Sequence, residues 1–330
     1  MRVVDMPEAG KPGIGEVLIR PEAVGLCGSD FHYFLGDIDA TDVQLYPRVQ
    51  GHEFSALVEE VGPECPEHVR VGERVAAWPV MSCGRCYPCR AGRGNACVNI
   101  SLIGIHQDGA LRERLRVPAS QVFPVGDLEP ALTALVEPVS IAMRAVARGR
   151  VAPGEKAVVL GAGPIGQAIA AAAIDRGASA LLVDRIPTRL EHGRATGAES
   201  LVIEEGTDPV AAALEWAGGD GPEVVFEATG VPELVQTLVQ LVAPTGRVVV
   251  VGLSHSDAPL KVGDLVFREI DLLGVSCCQG DDFADAISLV TRQDALAGLV
   301  THEFPLEEAP AAIAYAIQHP AEVMKAVIRL

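Results

Sequence analysis

Cys83, Cys86, Cys89 and Cys97 stand in one short stretch, separated by two, two and seven residues. Tetrahedral Zn²⁺ takes four soft ligands, and thiolates arriving on tight turns supply them. Gly84, Pro88, Gly92, Gly94 and Asn95 are turn formers, and no long apolar run separates the thiols. The segment therefore reads as a lobe held by metal rather than by a core. The competing readings are two disulfides or four idle thiols. A four-thiolate zinc has no open coordination position, so this site is a structural staple and the chemistry belongs elsewhere.

A second constellation is suited to a dinucleotide. Residues 156–166 read KAVVLGAGPIG. A β-branched run feeds directly into Gly161-x-Gly163-x-x-Gly166, and the helix formers of residues 167–174 follow. Such glycines allow a tight turn, close approach of backbone to a pyrophosphate, and close helix–strand packing. The pyrophosphate then rests on the helix N-terminus. The flanking strand and helix are the context this pattern requires; without them it is only a Gly-rich turn. Asp184 ends the next predicted strand, 18 residues after Gly166. It is placed to accept from a ribose 2′-OH and to repel a 2′-phosphate, which favours NAD over NADP. Pro164, Ile165 and Arg189 complete the candidate cofactor-binding set.

Three further places carry metal-type residues: Cys27 in CGSDFHY, His52 with Glu53 after Gly51, and Glu137 in VEP. Taken singly, a histidine is more often a satisfied polar residue than a ligand, and a cysteine is usually a small hydrophobe.

Two kinds of element must position these groups. Up to about residue 128 the apolar residues form short alternating runs broken by Gly and Pro, at 16–20, 53–61, 71–76 and 110–117. That pattern predicts a small barrel-like β domain. From about residue 131, Ala-rich helical stretches alternate with compact β-branched runs at 157–160, 181–183, 224–226, 248–251 and 272–275. This alternation predicts a doubly wound parallel sheet. Residues 325–330 form a last apolar strand candidate.

The length, 330 residues, fits two domains that each bury a core. A net charge of −18 leaves no basic stripe for nucleic acid or an anionic membrane surface. The most apolar run, 168–174, is too short to span a bilayer. Eight cysteines behind an N-terminus, MRVVDMPEAG, that lacks a signal-peptide pattern predict a reducing, cytoplasmic setting.

Together, CGSD, GHEF (residues 51–54), VGERVA (71–76), the cysteine quartet, VEP and GAGPIG resemble the zinc-dependent medium-chain dehydrogenases, the alcohol and polyol dehydrogenase family, in order and spacing. The resemblance covers nearly the whole chain. It implies an α/β protein with a GroES-like barrel domain at 1–130 and 292–330 and a Rossmann NAD-binding domain at 131–291. It implies two zinc ions per chain. The catalytic one is held by Cys27, His52 and a carboxylate, with Glu53 and Glu137 both open as the direct ligand. Alcohol dehydrogenases proper place a cysteine where Glu137 stands, and a carboxylate there leaves a harder, more electrophilic zinc. The implied reaction is hydride transfer from an alcohol to NAD. Ser29 and His32 match the family's proton relay, with a turn-capping hydroxyl and a surface histidine as their alternatives. Asp30 is expected to orient a ligand by a hydrogen bond. Association as a homodimer or homotetramer is implied as well.

Two departures stand out. The chain begins at what resembles the middle of the family's first hairpin, so a short or missing opening strand is expected. Sorbitol dehydrogenases carry a substrate-reaching arginine just after the last Rossmann strand, where residues 274–280 read GVSCCQG. The stretches YPRVQGHEF, CGRCYPC and IGIHQDGAL look closest to sugar-acid dehydrogenases such as L-galactonate dehydrogenase. Threonine dehydrogenase-like oxidation of an amino alcohol, and a non-catalytic NAD(H)-binding regulator, are the competing functions.

Overall fold

The computed structural model describes residues 1–36, 47–204, 208–254 and 256–330; Tyr46, the first residue of YPRVQGHEF, lies outside them. Packing divides the chain into Met1–Ser140 with Cys277–Leu330, and Ile141–Ser276.

The first unit is built on a seven-stranded sheet. Its central strand, Glu16–Gly25, buries Val17, Leu18 and Ile19 in a row, alternates only at residues 20–23, and runs longer than the alternating stretch read at 16–20. It pairs with Glu53–Val61 along its length, with two register shifts. On its other edge its first half pairs with Leu115–Pro118 and its last residues with Lys325–Arg329. One strand thus engages two partners on one edge, which bends the sheet toward closure. Residues 1–12 carry no strand. The strand read at 71–76 begins only at Arg74, because Val71 and Gly72 form a turn that returns a hydrogen bond from Gly72 N to Val58 O at 2.8 Å. Val17, Ile19, Val24, Phe54, Ala56, Val58 and Val75 fill the interior.

The second unit is a six-stranded sheet in which every paired neighbour is parallel. In spatial order its strands are Glu199–Val202, Ser179–Asp184, Lys156–Leu160, Val224–Glu227, Arg247–Val250 and Asp271–Gly274. Five of the six lie at the β-branched runs of the sequence. The exception, Glu199–Val202, is an edge strand that opens on Glu199 and Ser200 and so carries no continuous apolar run.

Residues 277–291 pack with the first unit, whereas the sequence places the boundary at 291/292. Helix Gly280–Arg292 explains the difference. Phe283 is fully buried with its ring centroid 5.1 Å from that of Phe123, and Trp78 Nε1 donates to Cys278 O at 3.3 Å. Pro130–Arg148 is long and apolar enough to cross a membrane, but 78% of its apolar window is buried inside the protein.

Phe283→Ala should remove about 3–5 kcal/mol of stability by emptying the contact with Phe123. Denaturant unfolding checks this; a loss below about 1 kcal/mol would mean that the helix is held by something else.

Candidate functional site

Cys27 is the N-cap of helix Gly28–Leu35, and its sulfur takes the place of a capping hydroxyl. Asp30 closes the capping box by accepting from Cys27 N at 2.9 Å. Asp30 therefore orients the cysteine through its backbone. Ser29 lies one residue before Asp30 on the same helix, and half-buried His32 lies in its last turn. His52 and Glu53 arrive on the neighbouring strand, Glu53 being the first residue of Glu53–Val61. One ligand atom each from Cys27, His52 and Glu53 lie within 4.8 Å of one another. Glu137 stands outside that set but interacts electrostatically with His52, Glu53, Lys325 and Asp30.

Burial dominates the electrostatics here. Asp30, Glu53, Glu137 and His52 are all buried. Burial pushes the Glu137 carboxyl up to about 7, and it also raises Asp30. His52 is held well above its usual range: burial pulls it down, and the facing Cys27 sulfur, with Asp30 and Glu137, more than offsets this. The compensating cation is Lys325, whose Nζ lies 2.7 Å from Glu53 Oε2. Ser29 Oγ, Asp30 Oδ1 and His52 Nδ1 are buried without a hydrogen-bond partner among the described residues. Buried polar atoms without partners are uncommon in folded proteins, and a place that collects three of them is built for a further group. A thiolate, an imidazole and a carboxylate form a donor set for zinc that leaves a coordination position open. The residues therefore fit a catalytic zinc.

The cysteine quartet lies apart in sequence: Cys83 precedes the one-turn helix Tyr87–Arg90, Cys86 is the N-cap of that helix, Cys89 lies on it, and Cys97 follows the Gly94–Ala96 turn. All four sulfurs fall in one set, and none is in a disulfide. Cys86 Sγ is 3.3 Å from Cys89 Sγ and 3.7 Å from Cys97 Sγ. A tetrahedron with Zn–S bonds of about 2.3 Å has edges of about 3.8 Å, so these separations fit one ion. Cys83 N and Asn99 N each donate to Cys97 Sγ at 3.3 Å, which suits a thiolate acceptor.

In the second unit, strand Lys156–Leu160 ends at Gly161, and Gly163 caps helix Pro164–Asp175 with Pro164 as its first residue and Ile165 as its second. A Cβ on Gly166 would overlap the Gly161 carbonyl oxygen, so only glycine lets the helix start this close to the strand. Asp184 Oδ2 accepts from Ala162 N at 2.7 Å and Oδ1 accepts from Ile186 N at 2.9 Å. Each oxygen keeps a lone pair for a ribose diol. Arg189 Nη1 stands 4.0 Å from where a Gly163 Cβ would be, beside the loop. These residues fit a dinucleotide.

Three contributors escape a sequence reading. Lys325 sits in an ordinary terminal strand. Buried Glu227 accepts from Thr229 N at 2.7 Å and from Gly230 N at 3.1 Å, fixing the turn after Val224–Glu227. Cys278, in the segment where an arginine is missing, is fully buried, and its thiol is pushed well up by burial and by Glu137. For Lys325 and Cys278 only a fold-level view brings the residue to its partners, whereas Glu227 acts on its own turn.

Comparison with known proteins agrees with this geometry. The Alcohol dehydrogenase GroES-like domain matches residues 13–127, and Zinc-binding dehydrogenase matches residues 164–292. The chain is 36% identical over 321 residues to 2-dehydro-3-deoxy-L-galactonate 5-dehydrogenase of Pseudoalteromonas atlantica, covering 96% of this chain and 92% of that one. It is 35% identical over 296 residues to L-galactonate-5-dehydrogenase of Escherichia coli K12, covering 89% and 86%. The alcohol dehydrogenase RspB of Escherichia coli CFT073, solved with NADH, superposes with a TM-score of 0.88 at 28% identity, covering 99% of this chain and 94% of that one. The chain belongs to the family of zinc-type alcohol dehydrogenases, with a GroES-like domain and a Rossmann-type zinc-binding dehydrogenase domain.

Proposed function

We propose that this protein is an NAD-dependent zinc dehydrogenase that oxidises a secondary alcohol of a polyol, sugar or sugar acid. The observation that carries this reading is the set of half-buried Cys27 with buried His52 and Glu53, near further buried carboxylates in a chain that also has a dinucleotide cradle. Cys27, His52 and Glu53 or Glu137 hold one zinc, and the four cysteines hold the other. When bound, the reactive zinc supplies Lewis acidity that lowers the pKa of a coordinated hydroxyl, and the nicotinamide accepts the hydride. The chain's own residues do the rest. Asp30 fixes Cys27 by accepting from its backbone N–H. The Ser29 hydroxyl, free of other partners among the described residues, accepts the substrate proton and passes it toward His32 at the other end of the helix.

The relatives named above act on sugar acids, which supports that end of the substrate range. The absence of an arginine in residues 274–280 and the presence there of buried Cys278 speak against a sorbitol-type contact. Eight cysteines, none in a disulfide, and a net charge of −18 support a cytoplasmic protein that engages neither nucleic acid nor membrane. Self-association through the last parallel strand is supported by its exposed edge. Asp271–Gly274 pairs with Arg247–Val250 alone among the described residues, and Phe267 just before it is 90% exposed.

The zinc-loaded wild type should hold two zinc atoms per chain and form NADH with a polyol or sugar acid. Cys27→Ser should hold one and lose turnover by at least about 10³-fold. Cys86→Ser should also hold one, but with a lowered melting temperature, because a structural zinc contributes to folding. Two zinc atoms retained in Cys27→Ser, with turnover intact, would sink the catalytic assignment.

Asp184→Ala should weaken NAD and relax the rejection of NADP, since one carboxylate supplies both the contact and the repulsion. Steady-state kinetics with the two cofactors decide it; an unchanged preference ratio contradicts the role.

Phe267→Glu should shift sedimentation toward the monomer while leaving the zinc content unchanged. An unaltered oligomer would place the interface elsewhere.

A further inference from the structure

Lys325 is the least expected member of the buried cluster. Its ammonium is 5% exposed and Glu53 is 1% exposed. Nζ donates to Glu53 Oε1 at 2.8 Å, to Glu53 Oε2 at 2.7 Å and to Leu26 O at 3.1 Å. An ammonium has three protons, and all three are used, so its pose is fully specified. Each Glu53 oxygen gives Lys325 one lone pair and keeps another. The carboxylate can therefore remain on the lysine while it faces Cys27 and His52.

The second acceptor adds to the argument. Leu26 O belongs to the peptide that precedes Cys27. One side chain thus ties together the two segments that deliver Cys27 and Glu53. The backbone reinforces this tie, because Leu26 N donates to Ala326 O at 2.9 Å and Gly25 pairs with both Glu53 and Val327. A Cβ on Gly25 would overlap Glu53 Oε2, so the strand opposite is cut back to hydrogen where the carboxylate lies across it. A tie that served folding alone would be replaceable by apolar packing at little or no cost. Here the ion pair, the carbonyl contact and the missing side chain converge on the orientation of one carboxylate.

We propose that Lys325 is a positioning residue for the reactive metal site: with Gly25 making room, it holds the Glu53 carboxylate in the orientation that faces Cys27 and His52. The inference rests on the reading of Cys27, His52 and Glu53 as a zinc site. Outer partners of this kind typically change metal affinity by about 10–100-fold when removed.

The test uses the full zinc-loaded chain and three variants. Lys325→Met removes the ammonium and keeps the stem. Lys325→Arg keeps the charge. Gly25→Ala displaces the carboxylate and leaves the lysine in place. Zinc content is followed through a chelator titration, and the reactive site is also loaded with Co²⁺ to read its visible absorption. In Lys325→Met and Gly25→Ala the more weakly held zinc should be lost at about 10-fold lower chelator strength or less, with shifted cobalt bands. The four-thiolate zinc should stay bound in both, and Lys325→Arg should recover part of the affinity. Wild-type zinc affinity and wild-type cobalt bands in Lys325→Met would overturn the proposal and leave the pair as a structural tie, whatever the melting temperature. Should Lys325→Met fail to fold, the same result in Gly25→Ala overturns it. A wild type that binds only the four-thiolate zinc would instead overturn the metal-site reading underneath.

Discussion

Asp30, Glu53 and Glu137 are buried beside half-buried Cys27, and the cations facing them are Lys325 and, when protonated, His52. Carboxylates taken out of water must be paired, metal-bound or protonated. Lys325 satisfies Glu53, and Cys27 N satisfies one oxygen of Asp30. Glu137 has no such hydrogen-bonded partner within the set, and burial, with the Glu53 and Asp30 charges, pushes it up to about 7. A divalent cation beside Cys27, His52 and Glu53 resolves this imbalance in one step. The surrounding barrel serves that need: the helix that Cys27 caps, the first residue of Glu53–Val61, and the last strand, Lys325–Arg329, all end at the same place.

The two proposed zinc sites divide the work by donor chemistry. Four thiolates close the coordination sphere and stabilise a lobe of turns whose two short flanking strands, Val80–Met81 and Ser101–Leu102, pair only with each other among the described residues. One thiolate with an imidazole and a carboxylate leaves a position open and keeps the metal electrophilic. The dinucleotide cradle is built by different means, from backbone geometry at Gly161–Gly166 and one acid, Asp184, that is held by two backbone N–H groups.

Much of this was legible in the sequence because the relevant residues are close in the chain. The quartet spans 15 residues, and the glycine loop follows its strand directly. The four inner parallel strands announced themselves as apolar, β-branched runs, since both of their faces are covered. What sequence reasoning missed is long-range. Lys325 meets Glu53 across 272 residues, so no spacing rule could have linked them. Strand Glu199–Val202 lies at an edge and lacks the apolar run of its neighbours. The helix at Gly280–Arg292 reads as the end of the α/β alternation, yet Phe283 commits it to the barrel-bearing unit. Glu53 and Glu137 remained equivalent in the sequence; the fold groups Glu53 with Cys27 and His52 and hydrogen-bonds it to Lys325.

X-ray absorption at the zinc edge of the metal-loaded wild type tests the central claim most directly. One four-thiolate zinc and one zinc with a single thiolate average to about 2.5 sulfurs at ~2.3 Å and about 1.5 nitrogen or oxygen donors at ~2.0–2.1 Å per metal, for four-coordinate ions. That mixed shell, at two zinc atoms per chain, is the result predicted. A shell of four sulfurs alone, at one zinc per chain, would contradict the account, because the buried acids would then have been assembled for something other than a metal.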